Sequence, residues 1–347
     1  MLGSSSFNSK YTIVEKIGQG SFGAVYKCIH KKSGIVAAAK KIEMTGDTIF
    51  FKRLLREVLL LKYLNYEHII QLLDCFLGYD KRGPHIYFVT ELMQINLRDL
   101  IVSNDEPFTH DHVKFYLYQI FLALTYLHLN NIVHRDIKPD NILVNTNNDI
   151  RVVDFGWARH INSTYELTKV IANIHYRAPE VCLRNQIHDS KVDIWAVGCL
   201  FYEMLTKNFL FIDKQDTDLL TSMFKKFGTL TPDEMNFIEN SNARAWVEKH
   251  GFIEKKRPSD YLQNFNDPLG KDLFDQCMQI NPHQRIGALE ALQHPYFKDI
   301  FDPKEMQKGM LNHSNVIDFS FEADPNLTKE QLFMRINKEI EEIPHLE

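Results

Sequence analysis

The sequence IVHRDIKPDNILV, at residues 132–144, decides the fold of this chain. Its Asp136 can orient an incoming hydroxyl group and accept the proton of that group, and Lys138 can neutralise charge on the group that is transferred. Asn141, five residues after the aspartate, carries an amide oxygen of the kind that binds magnesium. These three side chains, so close in sequence, predict a catalytic loop.

A glycine-rich stretch, GQGSFGAV at 18–25, precedes this loop. Its Gly18, Gly20 and Gly23 allow the backbone to approach phosphates and to point N–H groups at them. A dinucleotide-binding turn would need a helix to begin here, whereas VYKCIH at 25–30 continues as a strand pattern. The stretch therefore favours a glycine-rich flap between two antiparallel strands.

Two charged residues and a short acidic motif complete the set. Lys40 lies in a strand pattern and Glu57 in an amphipathic helix pattern at 48–64, so the glutamate can hold the lysine ammonium over phosphates. Asp154, in Asp154-Phe155-Gly156, supplies a carboxylate that can bridge a metal ion to phosphates. With the catalytic loop, these motifs supply the positioning and charge stabilisation that phosphoryl transfer requires.

The composition is that of a globular protein inside the cell. Hydrophobic residues make up 44% of the 347 residues and charged residues 24%, and the net charge of −5 argues against broad binding to nucleic acids or anionic membranes. Five cysteines without a CxxC motif indicate reduced thiols. The longest apolar run, at 194–201, is too short to span a bilayer. We expect a monomer in the cytoplasm and nucleus.

The order of secondary-structure patterns predicts two lobes. The first part of the chain is dominated by strand patterns, at 11–43, 69–76 and 85–92. The remainder is helical: 108–131 places apolar residues on one face, and 190–205 is apolar nearly all round, as in a buried core helix. Ser190 and Asp193 have capping-box spacing at the start of that second helix.

These motifs, in this order, resemble those of the eukaryotic protein kinase family over residues 11–300. The resemblance implies a bilobal α+β fold with a small β-rich N-lobe and a larger helical C-lobe. It also implies the domain boundaries, namely an N-terminal tail at 1–10, the N-lobe and hinge at 11–93, the C-lobe at 94–300 and an extension at 301–347 that packs back on the kinase domain.

The same resemblance implies the functional residues. Catalysis would use Lys40, Glu57, Asp136 and Lys138, with ATP and Mg²⁺ as cofactors and the metal held by Asn141 and Asp154. ATP would be contacted by Ile17, Gly18, Gly20, Gly23, Val25, Ala38, Lys40, Glu91, Met93 and Leu143. Asp193 would anchor the catalytic loop, and Glu180 would pair with Arg285.

Within the family, the chain resembles the CMGC group and its MAP kinases. Tyr176-Arg177-Ala178-Pro179-Glu180 is similar to the end of the activation segment in that group. The stretches at 231–252 and 316–343 are similar to the C-lobe insert and the C-terminal extension of MAP kinases. In the group, the arginine at the position of Arg177 favours substrates with a proline after the phosphoacceptor, and Asn173 lines the same pocket.

The activation segment departs from the MAP-kinase pattern, which has a Thr-x-Tyr pair. This chain keeps the threonine as Thr168, but Val170 stands at the tyrosine position and Ile174 replaces an arginine that pairs with the phosphotyrosine. The resemblance therefore predicts a switch that depends on phosphorylation of Thr168 alone by an upstream kinase. Three arginines would read this phosphate, Arg56, Arg135 and Arg159.

The resemblance also implies partners, and it leaves alternatives open. Protein substrates with basic docking motifs would bind an acidic patch at Asp302 and Glu305. One alternative is a pseudokinase, which would explain the unusual activation segment but would leave the charged catalytic residues idle. The other is a cyclin-dependent kinase, which usually ends soon after the stretch written here as HPYF, at 294–297.

Overall fold

The computed structural model describes residues 6–20, 23–161, 173–185, 189–311 and 317–346. The described residues form two compact units. The first unit contains the chain as far as Gln94, the segment Val153–Gly156 and the residues from 317 onwards, and the second contains Ile95–Val152 and the residues from Trp157 to 311. A five-stranded sheet lies in the first unit and most helices lie in the second, which confirms the predicted α+β kinase architecture.

The first unit is built on an antiparallel sheet of order β1-β2-β3-β5-β4. Its elements in chain order are α1 (Phe7–Lys10), β1 (Tyr11–Gly20), β2 (Gly23–His30), β3 (Val36–Glu43), α2 (Thr48–Tyr63), β4 (Leu72–Asp80) and β5 (Gly83–Glu91). Asp47 begins α2 by accepting a hydrogen bond from the backbone N–H of Phe50 at 2.8 Å. Helix α2 agrees with the helix predicted at 48–64.

The predicted N-terminal tail at 1–10 contributes to the core of this unit. The side chain of Phe7 is buried, and its ring stacks on Tyr87 at 4.1 Å and on Tyr11 at 5.4 Å. Sequence periodicity cannot reveal such a contact, because α1 is a four-residue helix with one buried position. The aromatic cluster extends the sheet core towards the chain terminus.

The second unit is mainly helical. Its elements in chain order are β6 (Ile95–Asn96), α3 (Leu97–Ser103), α4 (His110–Leu129), β7 (Ile132–Val133), β8 (Ile142–Val144), β9 (Ile150–Val152), β10 (Arg159–His160), α5 (Pro179–Cys182), α6 (Lys191–Thr206), α7 (Asp216–Phe227), α8 (Ser241–Glu248), α9 (Pro268–Cys277), α10 (Ala288–Leu292) and α11 (Pro303–Leu311). Strand β8 lies between β6 and β9, and β7 pairs with β10. These short strands flank the loop that the sequence predicts to be catalytic.

Helix α6 is the buried core helix that the sequence predicts, with Trp195, Val197 and Leu200 wholly buried. The predicted capping box at its start is wrong. The side chain of Ser190 makes no capping hydrogen bond, and the carboxylate of Asp193 accepts hydrogen bonds from the backbone N–H groups of His134 and Arg135. These two N–H groups are buried and require an acceptor, so the Asp193 carboxylate binds them and does not cap the helix.

The C-terminal segment belongs to the first unit and contains α12 (Ser320–Ala323) and α13 (Lys329–Glu341). Helix α13 lies along α2 and buries Leu332, Ile336 and Ile340. Lys62 of α2 pairs with Glu339 at 2.9 Å and with Glu342 at 2.7 Å. Apolar packing and ion pairs together therefore hold the segment on α2.

All five cysteines lie in the described part of the chain, and each is a buried free thiol. Among the described residues, no helix is both long and apolar enough to cross a membrane.

Glu180 and Arg285 form a buried ion pair, which confirms the pairing that the resemblance implies. Our first prediction concerns this pair. The guanidinium donates to the two carboxylate oxygens at 2.7 and 3.0 Å, and the two side chains are 3% and 0% exposed. Arg285→Gln should lower the free energy of unfolding by about 3–5 kcal/mol, because it leaves a buried carboxylate uncompensated. Urea denaturation measures this change.

The matched control is Arg244→Gln, which removes an exposed partner of Glu248 at 3.4 Å, where the side chains are 39% and 55% exposed. Solvent screens such a pair, so the loss should stay below about 1 kcal/mol. Equal losses for the two variants would contradict the prediction.

Candidate functional site

Lys40 and Glu57 form an ion pair inside the first unit. The Lys40 Nζ lies 2.8 Å from a Glu57 carboxylate oxygen, and β3 places the lysine opposite Val25 of β2 and Phe88 of β5. Burial acts to lower the pKa of Lys40, but the carboxylates of Glu57 and Asp154 outweigh burial and raise that pKa. The ammonium group therefore stays charged and fixed, as phosphate binding requires.

The glycine-rich stretch is a hairpin, because β1 and β2 pair from Gly18 opposite Val25 to Gly20 opposite Gly23. No helix begins at this stretch in the described residues, which excludes the dinucleotide-binding arrangement. A Cβ atom added to Gly23 would lie 1.9 Å from the carbonyl oxygen of Lys41, so only glycine permits this strand spacing. Residues 21–22 lie outside the described residues.

The remaining predicted ATP-contacting residues are distributed over both units. Ile17 is 46% exposed, whereas Val25, Ala38, Glu91 and Met93 are half-buried. These five lie in the first unit, and Leu143 lies on β8 of the second. Nothing in their burial conflicts with the predicted nucleotide contacts, which remain predictions.

Asp154 adopts a backbone conformation that is rare for a residue with a side chain, with φ at +65°. Left-handed backbone of this kind costs about 1–3 kcal/mol and is often found at functional sites. The Asp154 carboxylate accepts a hydrogen bond from the N–H of Gly156 at 3.4 Å, and Phe155 is wholly buried beside it. The turn therefore holds the Asp154 carboxylate in a fixed position next to the buried Phe155.

The catalytic loop of the second unit brings its three predicted residues together. One carboxylate oxygen of Asp136, Oδ2, accepts hydrogen bonds from Lys138 Nζ and from Asn141 Nδ2, each at 2.8 Å. The Asn141 Nδ2 also donates to the backbone carbonyl of Asp136 at 2.8 Å. The amide orientation of Asn141 is thereby defined, and its oxygen is the atom left to bind a cation.

Asp193 anchors this loop, as the resemblance implies. Its carboxylate accepts from the N–H groups of His134 at 2.9 Å and Arg135 at 2.7 Å and lies 2.9 Å from His128 Nε2. Burial acts to raise the pKa of Asp193, but the hydrogen bond with His128 and the other contacts outweigh burial and lower that pKa. The ionised acceptor stabilises Arg135 at a left-handed φ of +69°.

The three arginines predicted to read a phosphate have different surroundings. Arg56 donates to Glu322 and to the carbonyl of Gly156, all within the first unit. Arg135 is 8% exposed, and Arg159 donates to the carbonyl of Ala158 at 3.0 Å. Thr168 and Val170 lie outside the described residues, as does Tyr165, a weaker phosphorylation candidate because it precedes Thr168 in the sequence instead of following it. The phosphate-reading role of the arginines therefore stays a prediction.

The end of the activation segment contains an ion pair that sequence reasoning missed. Arg177 donates to Asp216, at the start of α7, at 2.5 Å. Asn173 is exposed, and its side chain accepts from the N–H of His175 at 3.2 Å, which begins a short 3-10 helix. Asp216 is visible in the sequence as an acidic residue. Its contact with Arg177 joins residues 39 positions apart, however, and no sequence spacing predicts that contact.

Glu322 is the other functional candidate that the sequence analysis missed. It lies in α12 and is 7% exposed at the side chain, although glutamate is rarely buried without a partner.

Asp302, one of the two predicted docking residues, is exposed beside Tyr118, whose hydroxyl accepts from the Asp302 N–H at 2.9 Å. Glu305 is half-buried on α11.

A second prediction follows from the anchoring role of Asp193. Asp193→Ala removes the acceptor for two buried N–H groups, each worth about 1–3 kcal/mol when left unsatisfied, so the free energy of unfolding should fall by about 2–6 kcal/mol. Asp193→Asn, which retains one acceptor oxygen, should lose about half as much. Chemical denaturation of both variants provides the measurement.

Asp189→Ala is the control for this prediction, because Asp189 lies just before the same helix and its carboxylate accepts from the backbone N–H of Lys191 at 2.8 Å. Loss of this terminal contact should cost about 1 kcal/mol. The anchoring role is wrong if Asp193→Ala costs no more than Asp189→Ala.

Comparison with known proteins agrees with this geometry. The protein kinase domain model matches residues 11–297. Mitogen-activated protein kinase mpkB of Aspergillus fumigatus is 36% identical over 342 residues, which cover 96% of each chain. Mitogen-activated protein kinase KSS1 of Saccharomyces cerevisiae is 36% identical over 313 residues, covering 86% of this chain and 84% of the relative. Mitogen-activated protein kinase 13 of Arabidopsis thaliana is 34% identical, covering 86% and 82%.

Proposed function

Since the chain belongs to the protein kinase family, and within it to the mitogen-activated protein kinases, we propose that this serine/threonine kinase phosphorylates sites followed by proline and is activated by one phosphate on Thr168. The observation that carries its catalytic competence is the ordered geometry of Asp136, Lys138 and Asn141. A pseudokinase would not require a carboxylate that is oriented by both an ammonium group and an amide group.

The residues of the first unit act on the phosphates of ATP. The Lys40 ammonium is fixed by Glu57 at 2.8 Å and offers its charge to phosphate oxygens. Backbone N–H groups of the hairpin from Gly18 to Gly23 can donate to the same phosphates. Because the Lys40 ammonium is in place before the nucleotide arrives, its contact with phosphate requires little reorganisation.

The residues of the second unit act on the substrate hydroxyl. Lys138 and Asn141 both contact Oδ2 of Asp136, which leaves Oδ1 to orient the serine or threonine hydroxyl and to accept its proton. Lys138 then stabilises negative charge on the transferred phosphoryl group. The anchoring of this loop by Asp193 preserves the orientation of both oxygens.

Asn141 and Asp154 fit a magnesium site by donor chemistry. Both offer oxygen atoms, which Mg²⁺ prefers, and a kinase metal usually binds a few protein oxygens together with nucleotide phosphates. No cluster of three or more His, Cys, Asp and Glu side chains suited to a metal occurs in the part of the chain that the structure describes. When bound, magnesium would neutralise charge that develops on the phosphates.

Support for proline-directed specificity comes from Arg177. Its side chain is 14% exposed and pairs with Asp216 at 2.5 Å, so it has one defined direction at the end of the activation segment. In the MAP kinases, the equivalent arginine favours a proline after the phosphoacceptor. We propose the same preference here, with Asn173 beside it.

The proposed switch needs only one phosphate on energetic grounds. Moving an inactive segment almost wholly to the active state takes about 5.5 kcal/mol. A phosphate on Thr168 carries about −1.5 to −2 charges, and two arginine–phosphate bonds at about 1.5–3 kcal/mol each approach the required free energy. Arg135 and Arg159 of the second unit provide two such guanidinium groups.

We further propose the partners and location expected from the sequence. An upstream kinase would phosphorylate Thr168, and protein substrates with basic docking motifs would bind near Asp302 and Glu305. The exposure of Asp302 supports this surface. The kinase would act as a monomer in the cytoplasm and nucleus.

A third prediction tests catalysis directly. Asp136→Asn should reduce kcat for a Ser-Pro peptide about 10²–10⁴-fold, because the general base is lost. Asp140→Asn in the same loop is the control: the Asp140 side chain is 49% exposed and lies 3.6 Å from Arg98 of α3, so kcat should change less than about twofold. Similar activity for wild type and Asp136→Asn would indicate a pseudokinase.

A fourth prediction tests the switch. After treatment with an upstream activating kinase, Thr168→Val should lack the activation seen in wild type, whereas Tyr165→Phe should retain it. Phosphosite mapping by mass spectrometry and peptide phosphorylation assays measure the two effects. Full activation of Thr168→Val, or a loss confined to Tyr165→Phe, is the result that excludes a Thr168 switch.

A further inference from the structure

Glu322 of the C-terminal segment holds a buried guanidinium on helix α2. Its Oε1 accepts from Arg56 Nε at 2.7 Å and also from Nη2. The third donor, Arg56 Nη1, binds the backbone carbonyl of Gly156 at 2.5 Å. With side-chain exposures of 1% for Arg56 and 7% for Glu322, this pair is shielded from solvent and its loss would leave a buried charge.

This contact joins the parts of the first unit that handle phosphate and metal. Arg56 is adjacent to Glu57, the partner of Lys40, and Gly156 follows Asp154 by two residues. Displacement of Arg56 would therefore displace the carboxylate that fixes Lys40. The bridge from Glu322 through Arg56 to Gly156 links α2 directly to the turn that presents Asp154.

A neighbouring contact fixes the position of Glu322 itself. The Nζ of Lys52, one turn earlier on α2, donates to the backbone carbonyls of Glu322 at 3.1 Å and Asp324 at 2.8 Å. The carboxylate is thus presented to Arg56 by backbone that is already attached to the same helix. Such support makes Glu322 a rigid partner, not a surface side chain that happens to lie near an arginine.

We infer that Glu322 is a positioning residue that holds α2 in place for the Lys40–Glu57 pair before Thr168 is phosphorylated. The inference rests on the proposed function, in which Lys40 and Glu57 act on ATP, and it removes Arg56 from the three arginines that the resemblance assigns to the phosphate. Because Glu322 already supplies a negative charge to Arg56, the unphosphorylated kinase keeps an ordered Lys40–Glu57 pair. Reading of the phosphate then falls to Arg135 and Arg159.

The test compares Glu322→Ala and Glu322→Gln with Glu339→Ala in the full chain after phosphatase treatment. Glu339→Ala also removes a contact between the C-terminal segment and α2, at Lys62, but it leaves Arg56 untouched. Glu322→Gln keeps the shape of the side chain, so it provides a folded variant if Glu322→Ala is unstable. We expect kcat to fall about tenfold in the Glu322 variants and to stay unchanged in Glu339→Ala.

Two further measurements separate positioning from general stability. If Glu322 acts through Glu57, the double variant Glu57→Gln/Glu322→Gln should have the same kcat as Glu57→Gln alone, because the effects share one route. Hydrogen exchange in the Glu322 variants should increase in α2 and at Asp154–Gly156, whereas Glu339→Ala should affect the end of α13. Multiplicative losses of kcat, or exchange in α2 equal to that of Glu339→Ala, would overturn the inference.

These results are distinguishable from failure of the proposed function. If wild type has no more activity than Asp136→Asn, the kinase proposal fails, and hydrogen exchange alone then decides whether Glu322 positions α2. If Thr168→Val is fully activated, the switch proposal fails, while the kinetic comparison of Glu322→Gln with Glu339→Ala still decides the role of Glu322.

Discussion

The ion pair between Lys40 and Glu57 is the interaction on which the first unit depends. A lysine on the central strand of a sheet cannot stay charged unless a carboxylate lies close to it. This requirement fixes the distance of α2 from β3. The C-terminal segment also packs on α2, where Glu322 holds Arg56, the residue next to Glu57, so this one contact supports the helix that carries the carboxylate.

In the second unit, a buried carboxylate has the corresponding role. Asp193 projects from the apolar helix α6 and accepts the N–H groups of His134 and Arg135. Burial of an ionised acceptor is favourable only when several donors surround it, and the catalytic loop supplies those donors. The strained backbone at Arg135 is therefore stabilised by the same contact that orients Asp136.

The proposed differences from the MAP-kinase pattern change which negatively charged groups are partners of the arginines around the activation segment. In the proposed alignment with that pattern, Val170 and Ile174 would replace a phosphorylatable tyrosine and the arginine that pairs with it, so that neither group would be left without its partner. Two of the arginines that remain have carboxylate partners from the chain itself: Arg56 has Glu322 and Arg177 has Asp216. A permanent carboxylate provides part of the charge that a phosphate provides only after modification.

The sequence alone predicted the catalytic loop and the pairing of Lys40 with Glu57, because the chemistry of these groups depends on residue type and spacing, and its resemblance to the protein kinase family implied the fold. Local pattern also located α2 and the buried helix α6. Only the tertiary structure decided that Ser190 and Asp193 form no capping box at the start of α6, that Phe7 enters the core, and that Glu322 binds Arg56. Those contacts join residues far apart in sequence, and burial makes each charged or aromatic group depend on a partner that no local periodicity specifies.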